Sequence, residues 1–407
     1  MIADVNIASS AFKANPFPFY ARLRSEAPVY QTLLPDKRKA WLIARYDDVL
    51  AVLKDDRFGK HKVIAQRPPW LPPMFKPLMR NMLDVDAPDH TRLRGLVQKA
   101  FQPRWIEDLR PRVQHLADEL LSRGQTAGQM DLVEEYALQI PTTIIAEMLG
   151  VPTEDRVKFH RWSSAAIAAT SSRWGMMMAL PHGIAFLRYI RRLVKARRAS
   201  PKDDLVTALV RAEEAGDQLS EDELVAMIFL LLVAGHETTV NLIGNGVLSL
   251  LQNPDQLAGL RDDPSLIKSA VEELLRYNGP LETATERYTR EDATVSGVSI
   301  PRGELVLAVL ASANRDERQF LQADTLDLER DPNPHVAFGY GVHYCLGASL
   351  ARLEGQIAIA TLLRRAPDLK LAIPVNTLRW KRGLVLRGLE SLPVTITGKT
   401  TLAMAGH

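Results

Sequence analysis

The sequence predicts a mainly α-helical fold with a smaller β part (α+β). Three observations carry this. Helical patterning runs from Asp89 to about Ser249, part of it free of Pro from Ser220 to Asn253, and short strand-like runs gather after Glu282.

From the N-terminus, Pro16, Pro18, Pro28 and Pro35 punctuate the first stretch. Pro68, Pro69, Pro72, Pro73 and Pro77 forbid a regular helix between 67 and 77 and predict a long loop. Ser220 and Glu223 form an S-x-x-E capping box. The helix they open has ~30 residues, would span ~45 Å, and is apolar on most sides from Leu224 to Val233, which predicts burial. Thr294 to Ile300 and Leu305 to Leu310 read as strands separated by Pro301-Arg302-Gly303. Residues 312–344 read as irregular, Leu346 to Arg365 as helix, and Leu384 to Ile396 as strand. The β part is thus expected mainly in the C-terminal half. No internal repeat, low-complexity tract or linker stands out, so residues 1–407 are expected to form one domain.

Composition narrows the function. Of 407 residues, 46% are hydrophobic and 24% charged, which excludes wholesale disorder. Lys plus Arg is 51 and Asp plus Glu is 48, and a net charge of +3 is too weak to argue for nucleic acid. The basic run from Arg188 to Arg198 reads as a solvated helix face. One cysteine, Cys345, excludes an intrachain disulfide and any multi-Cys metal site. The first ten residues carry Asp4 and no apolar core, unlike a signal peptide. The apolar run Leu224 to Ala234 is far short of the ~20 residues that span a bilayer. A cytoplasmic protein without a membrane partner is the expectation.

Chemistry concentrates around Cys345. Residues 338–347 read F-G-Y-G-V-H-Y-C-L-G and precede a helix. Gly339, Gly341 and Gly347 permit tight turns and close approach to something flat. A cysteine before a helix N-terminus gains a lowered pKa and suits a thiolate. Such a thiolate could be a nucleophile or a metal ligand, and the bland alternative is an inert buried thiol. A second motif, A-G-H-E-T-T, occupies residues 234–239 of the long helix. It is not a zinc motif, because Val240 stands where H-E-x-x-H needs its second His. A third, Glu273-Leu274-Leu275-Arg276, places an acid and a base at i, i+3 on one helix face, where a surface ion pair is the ordinary reading.

Taken together, these residues resemble the cytochromes P-450. The loop at Cys345 is similar to that family's haem-binding loop, and six fixed residues match by chance on the order of 10⁻⁸ per window. The resemblance covers nearly the whole chain, from Pro16 to Asp47 at the start to Arg382 to Pro393 at the end. It implies the P-450 fold, with haem b between the long central helix and the helix after the cysteine loop. Cys345 would be the proximal thiolate of the iron, a ligand that favours O–O cleavage. Phe338 would pack beside it and Gly347 leave room for the porphyrin. Ala234 and Gly235 would let the central helix pass close over the haem. Glu237 and Thr238 fall on the acid and alcohol positions, the alcohol disturbing the helical ladder and holding a water that the acid protonates. His90, Arg94, Arg287 and His343 match propionate contacts, for which Arg is suited by bidentate pairing. Glu273 and Arg276 match the family's structural E-x-x-R. Glu317 departs from the pattern, standing where the family often has Pro.

The implied activity is monooxygenation of an apolar organic substrate, with electrons from a separate ferredoxin and ferredoxin reductase. Leu230, Leu281, Thr283, Ala284 and Val385 are candidate lining residues, with Ala234. The Pro-rich loop and the Ala165 to Pro181 segment, with Met176 to Met178, are candidate movable walls. Lys99, Arg104 and Arg352 are candidates for a basic docking patch. A peroxygenase using H₂O₂, a haem-binding sensor without turnover, and a Cys–His hydrolase are the alternatives. The intact Glu237-Thr238 pair argues against the first.

Overall fold

The computed structural model describes residues 5–60, 78, 81–98, 101, 103–155, 158, 161–162, 165, 173–214 and 219–396. Its axis is the helix Glu221–Gln252, 32 residues long. Both halves of the expected capping box form: the Ser220 hydroxyl accepts from the Glu223 N–H, and the Glu223 carboxylate accepts from the Ser220 N–H. The helix is apolar and long enough to cross a bilayer, but 72% of its most apolar window is buried inside the protein. It is therefore a core helix. Its N-terminal half (Leu224, Met227, Ile228) packs with Phe186, Ile190 and Leu209 in one core. Its C-terminal half (Leu242, Ile243, Val247) packs with Leu274, Ile357 and Leu362 in another. Helices Gln139–Met148, Ile267–Asn278 and Ala348–Arg365 lie directly against it.

The β part corrects the expectation in three places. A five-stranded sheet orders Val29–Leu33, Lys39–Ile43, Leu305–Ala308, Arg287–Thr289 and Phe58–Gly59. Three of these strands come from the N-terminal stretch, so the β part is not mainly C-terminal. Parallel pairing of Lys39–Ile43 with Leu305–Ala308 and antiparallel pairing of Phe58–Gly59 with Arg287–Thr289 join the two halves, and sequence patterning does not show such long-range pairing. Second, Thr294 to Ile300 is not one strand. Ala293–Val295 and Val298–Ile300 form a hairpin whose turn residues, Ser296 and Gly297, take φ of 45° and 79°. That Ser-Gly pair was the missed turn signal. Third, Leu384 to Ile396 keeps regular strand only at Pro393–Thr395, with isolated bridges at Leu386 and Leu389.

The Glu273/Arg276 pair is not a surface pair. Both side chains are fully buried, joined by two hydrogen bonds of 2.7 Å. Arg276 also donates to the carbonyls of Asn314, Ala323 and Thr325, and Glu273 accepts from Arg330, Asn333 and the Asp327 N–H. The pair thus ties a helix to the irregular 312–344 segment that leads into the cysteine loop. Its satisfied partners are what make burial of two charges tolerable. Glu317 forms a 3.0 Å ion pair with the buried Arg24, so the departure from Pro serves to anchor the N-terminal helix Phe17–Glu26.

Candidate active site

The cysteine loop is closed by its own backbone. Cys345 N–H donates to the Phe338 carbonyl (2.9 Å) and Tyr344 N–H to Gly341 (3.0 Å). Gly339 and Gly341 both take φ of 72°. A Cβ on Gly341 would stand 2.8 Å from the Leu53 carbonyl oxygen, so glycine is required there on two counts. A Cβ on Gly347 would meet nothing within 4 Å, leaving open space at the start of the cysteine helix, Ala348–Arg365. Arg352 stacks its guanidinium 4.4 Å from the centre of the Phe338 ring.

Cys345 is reachable by solvent, yet the protein packed around it pushes its thiol above the usual range. A sulfur facing an interior recess satisfies both observations. The Gly347 N–H, Arg94 and Arg352 pull in the opposite direction but do not win. The helix N-terminus therefore does not by itself produce a free thiolate, contrary to expectation. That weakens the hydrolase reading, which needs an activated nucleophile. It suits a metal ligand, because a bound cation deprotonates a thiol outright.

Four other expected residues converge beside this loop. The His90 and His343 rings lie 4.2 Å apart. Arg94 donates to the Tyr344 carbonyl (2.7 Å) and Arg287 to the Phe58 carbonyl (2.8 Å). Among the described residues the buried Arg287 Nε has no hydrogen-bond partner. A further basic residue, Lys60, was missed in the sequence. It is 1% exposed and donates to the Thr285 hydroxyl and Glu286 carbonyl, both at 2.6 Å. Burial, then Lys60, His90, Arg287 and Arg94, push His343 down to about 2. So many positive groups around one imidazole form a site that calls for anions.

The middle of the central helix is open around Ala234, with Val233, Gly235 and Thr238 half-buried beside it. Ala234 is exposed and Thr238 half-buried, although Leu230, Leu231, Leu232, Glu237 and Thr239 around them are buried. Spacing of i, i+4 puts the two open residues on one face. The Thr238 hydroxyl donates back to the Ala234 carbonyl (3.2 Å), and the helix stays α-helical throughout, so the expected break in the ladder is not present. Gly235 has a different neighbour: a Cβ there would meet Ile145 Cγ1 at 3.3 Å. Its smallness admits helix Gln139–Met148. Glu237 turns inward and accepts a 2.5 Å hydrogen bond from Lys381 Nζ. Lys381, also missed in the sequence, is 29% exposed, against 8% for Glu237.

The candidate lining residues separate into two groups. Leu281, Ala284 and Val385 are half-buried, and an isolated bridge pairs Leu281 with Leu386. Leu230 is 9% exposed and Thr283 1%, the Thr283 hydroxyl donating to the Leu384 carbonyl. Thr283 thus clips two segments together. The side chains of Met176 to Met178, most of the Pro-rich loop, and Lys99 lie outside the described residues. Arg352 is not a free surface cation: it holds Glu272 through two 2.7 Å hydrogen bonds. Arg104 is exposed. In the basic run, Arg197 is buried against Asp204, while Arg188, Arg192 and Lys195 are exposed as a solvated face requires.

The site has close counterparts. The chain is 46% identical over 404 residues to cytochrome P450 107B1 of Saccharopolyspora erythraea, covering 97% of this chain and 98% of that protein. The chain belongs to the cytochrome P450 family. The cytochrome P450 family model matches residues 186–366. The vitamin D(3) 25-hydroxylase of Pseudonocardia autotrophica is 46% identical over 96% of each chain. A crystal structure of a myxobacterial cytochrome P450 in complex with myristic acid superimposes with a TM-score of 0.90 at 42% identity, over 96% of this chain and 98% of that one. The protein is a P450 monooxygenase with the P450 fold, and its family cofactor is haem. The residues fit that cofactor: one thiol at a helix start, open space at Gly347, and a basic cluster whose Arg287 Nε lacks an acceptor among the described residues.

Proposed function

We propose that this P450 holds haem b through Cys345 and hydroxylates a mostly apolar small molecule, using O₂ and electrons from a ferredoxin and its reductase. The observation that carries the reading is the Ala234/Thr238 strip, Ala234 being exposed in the middle of a largely buried helix. It sets an alcohol and a small residue against the reaction space, with an acid directly behind. The haem supplies oxygen activation through its thiolate-ligated iron. His90, Arg94, Arg287 and His343 would hold its propionates, Arg94 and Arg287 by charge and the two imidazoles by hydrogen bonding, with Lys60 beside them. Phe338, with Arg352 stacked on it, would pack beside the sulfur once the haem covers it. A half-buried apolar wall at Leu281, Ala284 and Val385 suits the ligand class named for the vitamin D(3) 25-hydroxylase and the myristic acid complex.

Thr238 holds a water by its hydroxyl, and Glu237 feeds protons toward it. Lys381 is the positioning residue for Glu237. It orients the carboxylate through their hydrogen bond, and its partial exposure links a buried acid to bulk solvent. An intact acid–alcohol pair favours O₂ over H₂O₂ as oxidant.

The carbon monoxide complex of the reduced protein tests the core of this reading. A long-wavelength Soret band is expected, and Cys345→Ser should abolish it. A Soret band at ordinary wavelength in the unaltered protein would remove the thiolate assignment. For the electron partner, Arg104→Glu should slow reduction by ferredoxin in low salt and much less in high salt. An unchanged rate would move docking elsewhere.

A further inference from the structure

Far along the central helix from Thr238 lies a cleft of 580 Å³, within the range of small-molecule sites. It opens between the N-terminal helices, the ends of helices Glu221–Gln252 and Ile267–Asn278, and the chain from Val375 to Arg387. Arg387 is at its base. This side chain is 3% exposed, and its Nε finds no acceptor among the described residues. Among the described residues no carboxylate forms an ion pair with it; its one hydrogen-bond partner there is the Asn278 amide oxygen. An uncompensated buried cation is costly.

The surroundings show what would compensate it. Trp380 and Phe17 stack on the guanidinium, at 3.9 and 5.2 Å, so its hydrogen-bonding edge is the part left for a partner, and the residue lines the cleft. Arg315 stacks on the same Phe17 ring at 3.8 Å, but its own donors are satisfied by Asp324 and the Tyr277 carbonyl. Burial and this second cation pull Arg387 down to about 9, where a guanidinium is ordinarily charged at any accessible pH. Leu248, Val375 and Leu378 supply apolar lining, Val375 being 41% exposed.

We infer that the cleft binds a small amphipathic carboxylate, its acid group on the Arg387 edge and its apolar body along Leu248 and Leu378. A guanidinium edge matches a carboxylate in geometry as well as charge. The site is placed to act on turnover. The Arg387 N–H donates to the Pro280 carbonyl, Leu386 bridges Leu281, and the Val385 carbonyl accepts from Glu282. A ligand on Arg387 therefore bears on the segment that carries Leu281 and Val385. This effector role rests on those residues facing substrate; the binding itself does not.

Fluorine NMR of the haem-loaded protein with para-fluorobenzoate tests the binding, and para-fluorobenzamide is the neutral control. Saturable binding of the acid and not the amide is expected. Asn376→Asp, an added charge on the exposed rim, should weaken it by about tenfold without burying anything. Arg387→Gln should abolish it if the variant folds. Equal binding of the amide, no saturable binding, or full binding by a folded Asn376→Asp protein would overturn the inference. Binding that survives Asn376→Asp and shifts the Soret band would place the acid in the substrate space instead. Failure of the effector role alone would appear as intact binding with turnover unchanged.

Discussion

At the scale of single residues, the Glu237 environment decides most. A buried carboxylate with one cation, 2.5 Å away and partly in solvent, is held in place by that cation. Lys381→Gln should therefore lower both the rate of product formation and the coupling of electron use to product, with Lys381→Arg restoring both. A loss of rate that Lys381→Arg does not restore would reduce Lys381 to a structural prop. Thr238→Ala acts differently. It leaves Glu237 and Lys381 in place but removes the hydroxyl on the open strip, so electrons should be diverted to H₂O₂ while substrate affinity changes little. Unchanged coupling of electron use to product would count against the alcohol. Lys60 and Lys381 were invisible beforehand because nothing in F-G-K-H-K or W-K-R-G distinguishes them from surface lysines. Their positions become meaningful only against partners 225 and 144 residues away.

At the scale of elements, ion pairs fix helix to helix around the cysteine loop. Glu272, on helix Ile267–Asn278, meets Arg352 on the cysteine helix and His335 before the loop. Burial alone would raise its pKa, but hydrogen bonds from Arg352 and then His335 overcome it and hold Glu272 down to about 2. A carboxyl depressed in the folded state stabilises above its unfolded pKa of 4.5, and the contribution is lost as pH falls from there toward 2. With solvent screening of a side chain still 28% exposed, about 1–2 kcal/mol is at stake. Glu272→Gln should lower stability by that amount at pH 7 and flatten the acid limb of the stability curve in that window. Equal destabilisation at every pH would assign the loss to packing. The spacing of Glu273 and Arg276 was legible in the sequence, whereas their complete burial was not. Helical periodicity shows which residues share a face, but not whether another segment covers it.

For the whole molecule, the N- and C-terminal stretches are built into one another. Lys39–Ile43 lies parallel to Leu305–Ala308, Lys13 forms a buried ion pair with Glu282, and Arg24 pairs with Glu317. With both cores sharing the central helix, residues 5–396 should unfold as one domain. Thermal unfolding followed by haem absorbance and by far-ultraviolet circular dichroism should give coincident transitions. Separated transitions would divide the chain into independent units.

Sequence alone determined the helical class, the capped central helix, the cysteine loop and the acid–alcohol pair. Each is local: a cap, a periodicity, or a run of glycines records its own geometry within about ten residues. It also determined the family, because those local records occur together in one chain. Tertiary structure decided what depends on distant neighbours. It placed three N-terminal strands in the main sheet, buried Glu273 with Arg276, and raised the Cys345 thiol that the helix start would have lowered. It gave Gly235 to Ile145, Glu237 to Lys381, and Arg352 to Glu272. The reason is the same throughout. Burial and charge pairing are properties of what surrounds a side chain, and only folding brings those surroundings together.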